Sequence, residues 1–270
     1  MVIDCKAISQ AKRDAIKRKA AELDITPTLA VILAVDDPAS RGYVRNKRRA
    51  CEEVGFGFEM YSDINAVGEL VTRQDVHGVL VQLPLPSDID TNKVIAQIPP
   101  EKDVDALTAT NLGRLVLGAY DFAPCTPSGI MTILDNVCGS VSGANCVVIG
   151  RSNIVGKPMS IMLTQKNATV TLCHSHTEDL AGITSRADIL ISAVGKAGFV
   201  TANMVKQDAI VIDVGINRNR EGKLVGDVCF DDVVRKADAI TPVPGGVGIM
   251  TVTSLLENTL KAAELAVGKR

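Results

Sequence analysis

Apolar residues change their spacing along the chain, and the changes mark the elements. Residues 6–23 carry Ile8, Ala11, Ile16 and Ala20 near one face of a helical wheel, which predicts an amphipathic helix. Thr28 to Val35 (TLAVILAV) is instead a continuous apolar run, bounded by Pro27 and an Asp36-Asp37-Pro38 turn. Such a run predicts a strand buried on both faces, as in a parallel sheet. A helix is expected from about Ser40 to Val54, ended by Gly55, followed by a short strand near 57–61. Another buried strand is expected from Gly78 to Leu83, stopping at Pro84-Leu85-Pro86. The second half repeats the rhythm more regularly, with strands at 145–150, 168–173, 188–194, 209–214 and 238–241 and helices near 154–165, 177–186 and 229–237. Alternation of this kind implies βαβ units with right-handed crossovers, hence an α/β fold built on parallel sheets.

The best boundary is the turn-rich Phe122-Ala123-Pro124-Cys125-Thr126-Pro127-Ser128, ahead of a helix that Ser128 can cap. Two domains are therefore expected. Residues 1–123 would form an N-terminal α/β substrate and catalytic domain. Residues 124–247 would form a C-terminal Rossmann-like, parallel-sheet dinucleotide-binding domain, with the active-site cleft between the two. The final helix, about 248–267, follows Pro242-Val243-Pro244-Gly245-Gly246, and the segment 248–270 is expected to return to the first domain.

Composition narrows the class. Hydrophobic residues make up 46% of the 270, enough to bury a core without disulfides or metals. The net charge is −2, and the densest basic stretch, Arg45-Asn46-Lys47-Arg48-Arg49, is too short to track a nucleic-acid backbone. The seven cysteines (5, 51, 125, 138, 146, 173 and 229) are odd in number and form no C-x-x-C pair. That pattern fits reduced thiols in a cytoplasmic compartment rather than a disulfide framework or a zinc site. The start Met-Val-Ile-Asp-Cys-Lys lacks the apolar core of a signal peptide, and no apolar run approaches the roughly 18 residues of a membrane span.

The clearest chemistry lies in the second half. Cys146-Val-Val-Ile-Gly150-Arg151-Ser152-Asn153-Ile154-Val155-Gly156 reads as strand, tight turn and helix. A pyrophosphate can sit on the free N–H groups of such a helix, aided by its dipole. Gly150 permits the turn and Gly156 lets helix and strand approach. The pattern G-x-S-x-x-x-G departs from G-x-G-x-x-G because Ser152 replaces the second glycine, so the following βα units carry much of the assignment. A nicotinamide dinucleotide is thus expected to bind within about 145–217. NAD sites usually place an acid at the tip of the second strand. Here that strand runs into His174-Ser175-His176-Thr177, while Arg151 occupies the turn. Arg151, Ser152 and Ser175 can converge on a 2′-phosphate, so NADP is preferred over NAD. Thr177 is expected to cap the next helix, placing Glu178 and Asp179 in its first turn. His174 and His176 lie two apart and His77 is distant in sequence, so no metal site is expected.

In the first half, Tyr43 and Lys47 stand at i and i+4 and share a helix face with Val44, Ala50, Cys51 and Val54. A lysine turned toward the interior has its pKa lowered and can take part in acid–base chemistry; the plain alternative is a snorkelling side chain. Gln82 ends the third strand, either as a core amide or as a ligand contact. Asp103 and Asp105 share one loop, and either can be a turn-forming aspartate.

Together, Tyr43-x-x-x-Lys47, Gly78-Val-Leu-Val-Gln82-Leu-Pro-Leu-Pro86, Lys102-Asp-Val-Asp105, Pro124-Cys-Thr-Pro-Ser-Gly129, Gly150-Arg-Ser-Asn-Ile-Val-Gly156 and Thr241-Pro-Val-Pro-Gly-Gly-Val-Gly248 resemble the bifunctional methylenetetrahydrofolate dehydrogenase/methenyltetrahydrofolate cyclohydrolase family, in order and over essentially the whole chain. The resemblance implies NADP-dependent oxidation of 5,10-methylenetetrahydrofolate to the methenyl cation, then hydrolysis to 10-formyltetrahydrofolate, by a homodimer. It implies that Lys47 is the catalytic lysine, that Tyr43 stacks near the folate, that Gln82 tunes the lysine and that Asp105 hydrogen-bonds the pterin. It gives the cofactor to Gly150, Arg151, Ser152, Ser175 and Ile216, and places Gly245, Gly246 and Val247 beside nicotinamide and folate. The chain departs from the family pattern at Ala106 (usually glycine), at Ile249 (usually proline), in a short segment between Tyr61 and Gly78, and at Ala34-Val35-Asp36, which lacks a glycine. Two other readings compete: a dehydrogenase of similar build acting on another small acid, and a non-catalytic dinucleotide-binding regulatory module.

Overall fold

A computed structural model describes residues 1–35 and 38–268. It divides into two compact units, one of residues 10–125 and 252–270, the other of residues 1–9 and 126–251. The expected turn at Asp36-Asp37 lies outside the described residues, as does the side of the Ala34-Val35-Asp36 departure that rests on Asp36.

In the first unit, α1 (Cys5–Ala21) leads into β1 (Thr28–Ile32), α2 (Pro38–Val54) and β2 (Gly57–Tyr61). There follow α3 (Ala66–Leu70), β3 (Gly78–Val81), α4 (Thr91–Ile95) and α5 (Ala109–Leu117). The strands form a parallel sheet in the order β2-β1-β3. β1 is buried on both faces, as its unbroken apolar run predicts. Leu29 and Val31 join Val44, Cys51 and Val54 of α2 on one side, with Leu255, Leu256 and Leu260 from the end of the chain. Ala30 and Ile32 join Val67, Leu70, Val79 and Val81 on the other. The short segment between Tyr61 and Gly78 holds only the five-residue α3.

In the second unit, α6 (Cys125–Cys138) precedes β4 (Asn145–Ile149), α7 (Gly156–Gln165), β5 (Thr169–Cys173), α8 (Leu180–Thr184), β6 (Ile189–Ser192) and β7 (Ile210–Asp213). A small hairpin of β8 (Asn217–Arg218) and β9 (Leu224–Val225) leads to α9 (Phe230–Val233) and β10 (Ala239–Ile240), and then α10 (Val247–Gly268) begins, most of which belongs to the first unit. The five-stranded sheet is parallel in the order β10-β7-β6-β4-β5. The first residues extend it, because Val2 bridges Ile240 and the Ile3 N–H donates to the Ile240 carbonyl at 2.9 Å. Strand order reverses around β4, which has β5 on one side and β6 on the other. In open α/β sheets such a switch point opens a ligand crevice at the carboxyl ends of the strands.

Two local expectations need correction. Ser128 does not cap α6, which begins at Cys125 and carries Pro127 and Ser128 inside its first turn. Proline is tolerated there because the first helical N–H groups have no intrahelical acceptor. Thr177 does not cap α8 either. Its hydroxyl accepts from the His174 N–H at 2.8 Å, while Asp179, with φ 45°, is the cap and accepts from the Gly182 N–H at 3.1 Å. The intervening turn leaves Glu178 outside the helix.

Candidate active site

In the first unit the chemistry gathers where α2, the end of β3 and the loop after α4 meet. Lys47 is half-buried because its helix turns that face inward, with Val44, Ala50, Cys51 and Val54 all buried around it. Its Nζ donates to Gln82 Oε1 at 2.6 Å. The Gln82 Nε2 donates to the Leu83 carbonyl at 2.9 Å, which fixes the amide with its oxygen toward the lysine. The Gln82 backbone N–H is held by the Ile32 carbonyl at 2.8 Å, so the residue is anchored just past the strand end. Gln82 is therefore a ligand of Lys47 and not merely a core amide satisfied by backbone.

The two aspartates of the loop separate cleanly. Asp103 is 2% exposed, and its carboxylate accepts from the Leu107 N–H (3.1 Å), the Thr108 N–H (2.8 Å) and Asn111 Nδ2 (2.9 Å). It also closes a turn, its carbonyl accepting from the Ala106 N–H at 3.0 Å. Asp103 is the turn-former. Asp105 lies at the turn's far side, half-buried, beside the backbone and thiol of Cys125 and within electrostatic reach of Lys47, while the thiol donates to the Val104 carbonyl at 3.3 Å. Burial pushes the Asp105 carboxyl up from its ordinary range, and the Lys47 charge opposes that rise. Burial lowers the Lys47 ammonium, with Asp105 opposing. Burial thus works against the charge on both members of the pair. Ala106 stands in the left-handed region at φ 55°, fully buried, so it keeps the backbone that glycine would adopt.

Tyr43 lies one turn before Lys47 on α2 and is 37% exposed. The structure thus brings Lys47, Gln82 and Asp105 together, with Tyr43 flanking them. Sequence reasoning missed Cys125 and Asn258. The Asn258 Nδ2 donates to the Val104 (2.8 Å) and Ala123 (2.9 Å) carbonyls and ties the Asp105 loop to α10.

In the second unit the turn after β4 has the shape of a phosphate cradle. Gly150 sits at φ 117°, and a Cβ there would lie 2.3 Å from the Ala193 carbonyl oxygen. A Cβ on Gly156 would lie 1.8 Å from the Gly150 oxygen. Only glycine allows backbone to close on backbone at both points, which leaves the space above the turn for a ligand. The Ser152 hydroxyl faces the start of α7, accepting from the Val155 N–H at 3.2 Å. Arg151 and Ser175 are exposed at the ends of neighbouring strands, joined by the Gly150 N–H to Cys173 carbonyl bond of 2.9 Å. No acid stands at the tip of β5, and Asp179 is occupied at its helix cap. The residues present therefore suit a dinucleotide that carries a 2′-phosphate. Further along the sheet, Ile216 is 43% exposed, and Gly248 approaches its Cδ1 so closely that a Cβ would sit at 3.6 Å. Gly245, at φ 101°, and Gly246, whose Cβ would meet the Pro242 oxygen at 2.3 Å, shape the turn leading to Val247. Two buried aspartates of this unit, Asp213 and Asp227, were also missed. Among the described residues, no cluster of three or more histidine, cysteine or acidic side chains could hold a metal ion, and no helix is long and apolar enough to cross a membrane.

A lysine held by an amide beside a carboxyl on one parallel α/β unit, and a glycine-lined turn suited to a dinucleotide on another, point to a two-domain, nicotinamide-dependent enzyme. Residues 3–105 match the tetrahydrofolate dehydrogenase/cyclohydrolase catalytic domain, and residues 124–267 match the NAD(P)-binding domain of the same family. The chain is 51% identical to the bifunctional protein FolD of Methanoculleus marisnigri, over 98% of this chain and 97% of that one. The bifunctional methylenetetrahydrofolate dehydrogenase/cyclohydrolase FolD of Campylobacter jejuni superposes with a TM-score of 0.95 at 44% identity, covering 98% of this chain and 99% of that one. The Trypanosoma brucei enzyme, solved with NADP cofactor and an inhibitor, gives 0.94 at 36% identity over 99% and 98%. The chain belongs to the tetrahydrofolate dehydrogenase/cyclohydrolase family.

Proposed function

We propose that this chain carries out both family reactions in one-carbon metabolism: oxidation of 5,10-methylenetetrahydrofolate with NADP, then hydrolysis of the 5,10-methenyl product to 10-formyltetrahydrofolate. The observation that carries this reading is the Lys47–Gln82 contact of 2.6 Å beside Asp105. The bound NADP supplies the hydride acceptor. The carbon that loses hydride lies between two nitrogens whose lone pairs stabilise the resulting cation, so this step needs orientation more than a strong base. Tyr43 stacks against the folate and Asp105 accepts a hydrogen bond from the pterin, which together set that orientation.

Hydrolysis makes a greater demand on the protein. Water must lose one proton as its oxygen bonds to the methenyl carbon, the ring nitrogen must gain one as its bond to that carbon breaks, and the hydroxyl left on the carbon must release its own proton to solvent as it becomes the formyl carbonyl. Lys47, with burial favouring its neutral amine, accepts the first proton; the resulting ammonium donates the second. Gln82 holds Nζ in place in either state, because its oxygen accepts from ammonium and amine alike. In the second unit Gly150, Arg151, Ser152, Ser175 and Ile216 hold the cofactor, Arg151 and Ser175 taking the 2′-phosphate, while Gly245, Gly246 and Val247 border the nicotinamide. We assign the unit of residues 10–125 and 252–270 to folate and the unit of residues 1–9 and 126–251 to NADP, and we propose a cytoplasmic homodimer. The full-length match to proteins named as bifunctional supports two activities over a dehydrogenase for another small acid.

The test is a paired assay on wild type and Lys47→Ala, following NADP reduction with methylenetetrahydrofolate and, separately, decay of methenyltetrahydrofolate. Loss of hydrolysis in the variant, with both reactions present in wild type, supports the assignment. A wild type that reduces NADP but hydrolyses no faster than buffer is a dehydrogenase alone, and absence of both reactions sinks the folate reading.

A further inference from the structure

The carboxyl ends of β6 and β7 are held by a pair of buried acids that the proposed reaction does not otherwise use. Asp227 has no exposed surface, and its carboxylate accepts five hydrogen bonds: Ser192 Oγ (3.2 Å), the Val194 (2.8 Å), Gly195 (3.2 Å) and Lys196 (2.9 Å) N–H groups, and Asn217 Nδ2 (2.9 Å). Three consecutive backbone amides on one carboxylate form an anion nest that fixes the loop after β6. Asp213, 4% exposed, accepts from the Gly215 (2.9 Å), Asp227 (2.9 Å) and Val228 (2.9 Å) N–H groups. Its own N–H donates to Thr241 Oγ1 at 2.8 Å, which reaches the end of β10.

Glycine makes room for both acids. A Cβ on Gly215 would lie 2.2 Å from Asp227 Oδ1, and one on Gly226 would lie 1.8 Å from Asp213 Oδ2. Between these anchors stands Ile216. The N–H before it is tied to Asp213 and the amide side chain after it is tied to Asp227, yet Ile216 itself is 43% exposed. A single exposed isoleucine is ordinary on a flexible loop. One held out between two anchored residues, beyond the end of a parallel strand where ligands bind, offers an apolar surface to that region.

We infer that Asp213 and Asp227 are positioning residues for the dehydrogenase step, fixing the loops after β6 and β7 so that Ile216 is presented as the apolar support for the nicotinamide end of NADP. The inference rests on the NADP reading above. Neither acid reaches the cofactor, since every oxygen is taken up by the protein's own donors. Each acts through the backbone it holds.

The test uses the full chain and the variants Asp227→Asn and Asn217→Ala. Asparagine replaces one acceptor oxygen by a donor facing N–H groups, and Asn217→Ala deletes one tether while leaving both acids intact. The readouts are the NADP Kd by calorimetry, KM and kcat for NADP reduction, and the ratio of NADP reduction to methenyl hydrolysis, which consumes no cofactor. The expected result for Asp227→Asn is an NADP Kd raised at least tenfold and a ratio lowered at least tenfold, with Asn217→Ala moving both the same way by a smaller factor. A parallel fall of both activities with the folded fraction would make the acids purely structural and overturn the inference. Unchanged Kd and ratio would overturn it too. If Asp227→Asn does not fold, Asn217→Ala decides by the same criteria. A wild type that fails to bind NADP would instead refute the cofactor reading, which is a separate failure.

Discussion

Replacing the amide that holds Lys47 by a carboxylate isolates the role of charge. Gln82→Glu keeps the size of the side chain and an oxygen facing Nζ, now at 2.6 Å, but adds a negative charge. An opposite charge this close favours the ammonium, so the Lys47 pKa rises. For groups within about 4–6 Å the effect is about 1–3 pH units, or about 1.4–4 kcal/mol. Because Lys47 is half-buried, solvent screening places the change toward the lower end of that range. In wild type, burial holds the lysine below its ordinary 10.5, so the neutral amine becomes available at correspondingly lower pH. In the variant the rise in hydrolysis with pH moves upward, and on the acid side of both inflections the rate falls by about tenfold for each pH unit of displacement. The assay is the decay of methenyltetrahydrofolate across a pH series, with the buffer rate subtracted. NADP reduction, which needs no base, is expected to fall by less than hydrolysis. A profile that stays in place or moves to lower pH would refute Lys47 as the proton acceptor.

Three other perturbations test the frame. Asp103→Ala removes the acceptor of three donors, two of them buried, and is expected to lower stability by at least about 2 kcal/mol in urea unfolding, whereas a loss under about 1 kcal/mol would deny Asp103 its turn-forming role. Ala106→Gly relieves the φ of 55° but removes a buried methyl and adds chain entropy, so its net effect is expected within about 1 kcal/mol; Ala106→Val, which is β-branched, is expected to cost at least about 1–2 kcal/mol in the same assay. Gly156→Ala would place a Cβ 1.8 Å from the Gly150 oxygen and is expected to weaken NADP binding at least tenfold by calorimetry; unchanged affinity would show that the cradle lies elsewhere.

What the sequence revealed follows from the range of the interactions involved. Strands buried on both faces announce themselves locally, and β1, β3 and the second sheet appear where apolar runs are found. Their ends were overrun because the apolar run outlasts the ladder: the Leu33 N–H still donates to the Tyr61 carbonyl at 2.8 Å, but Ala34 and Val35 lie beyond β1. The inward turn of Lys47 was legible because helical spacing sorts Val44, Ala50, Cys51 and Val54 onto its face. The choice between Asp103 and Asp105 was not, since a loop has no period and the donors to Asp103 come from Leu107, Thr108 and Asn111. Asp213 and Asp227 were invisible for a stronger version of the same reason. Most partners of Asp227 lie 31 to 35 residues away, and only the folded sheet brings them to one carboxylate.

The acids of this chain divide according to how fully their oxygens are supplied. Asp103, Asp213 and Asp227 are each surrounded by donors from the protein itself, and a carboxylate so satisfied is fixed in place. Asp105 has beside it the Cys125 thiol, a weak donor, and a lysine whose own charge is disfavoured by burial. The partner held against Lys47 is consistent with this division. An amide gives the nitrogen a fixed hydrogen bond without the charge that would commit it to the ammonium, whereas a carboxylate in the position of Gln82 would turn the site into one more structural ion pair. Saturated acids hold backbone in the cofactor unit. In the unit with Lys47, burial works against the charge of both the acid and the amine, as the proposed proton transfers require.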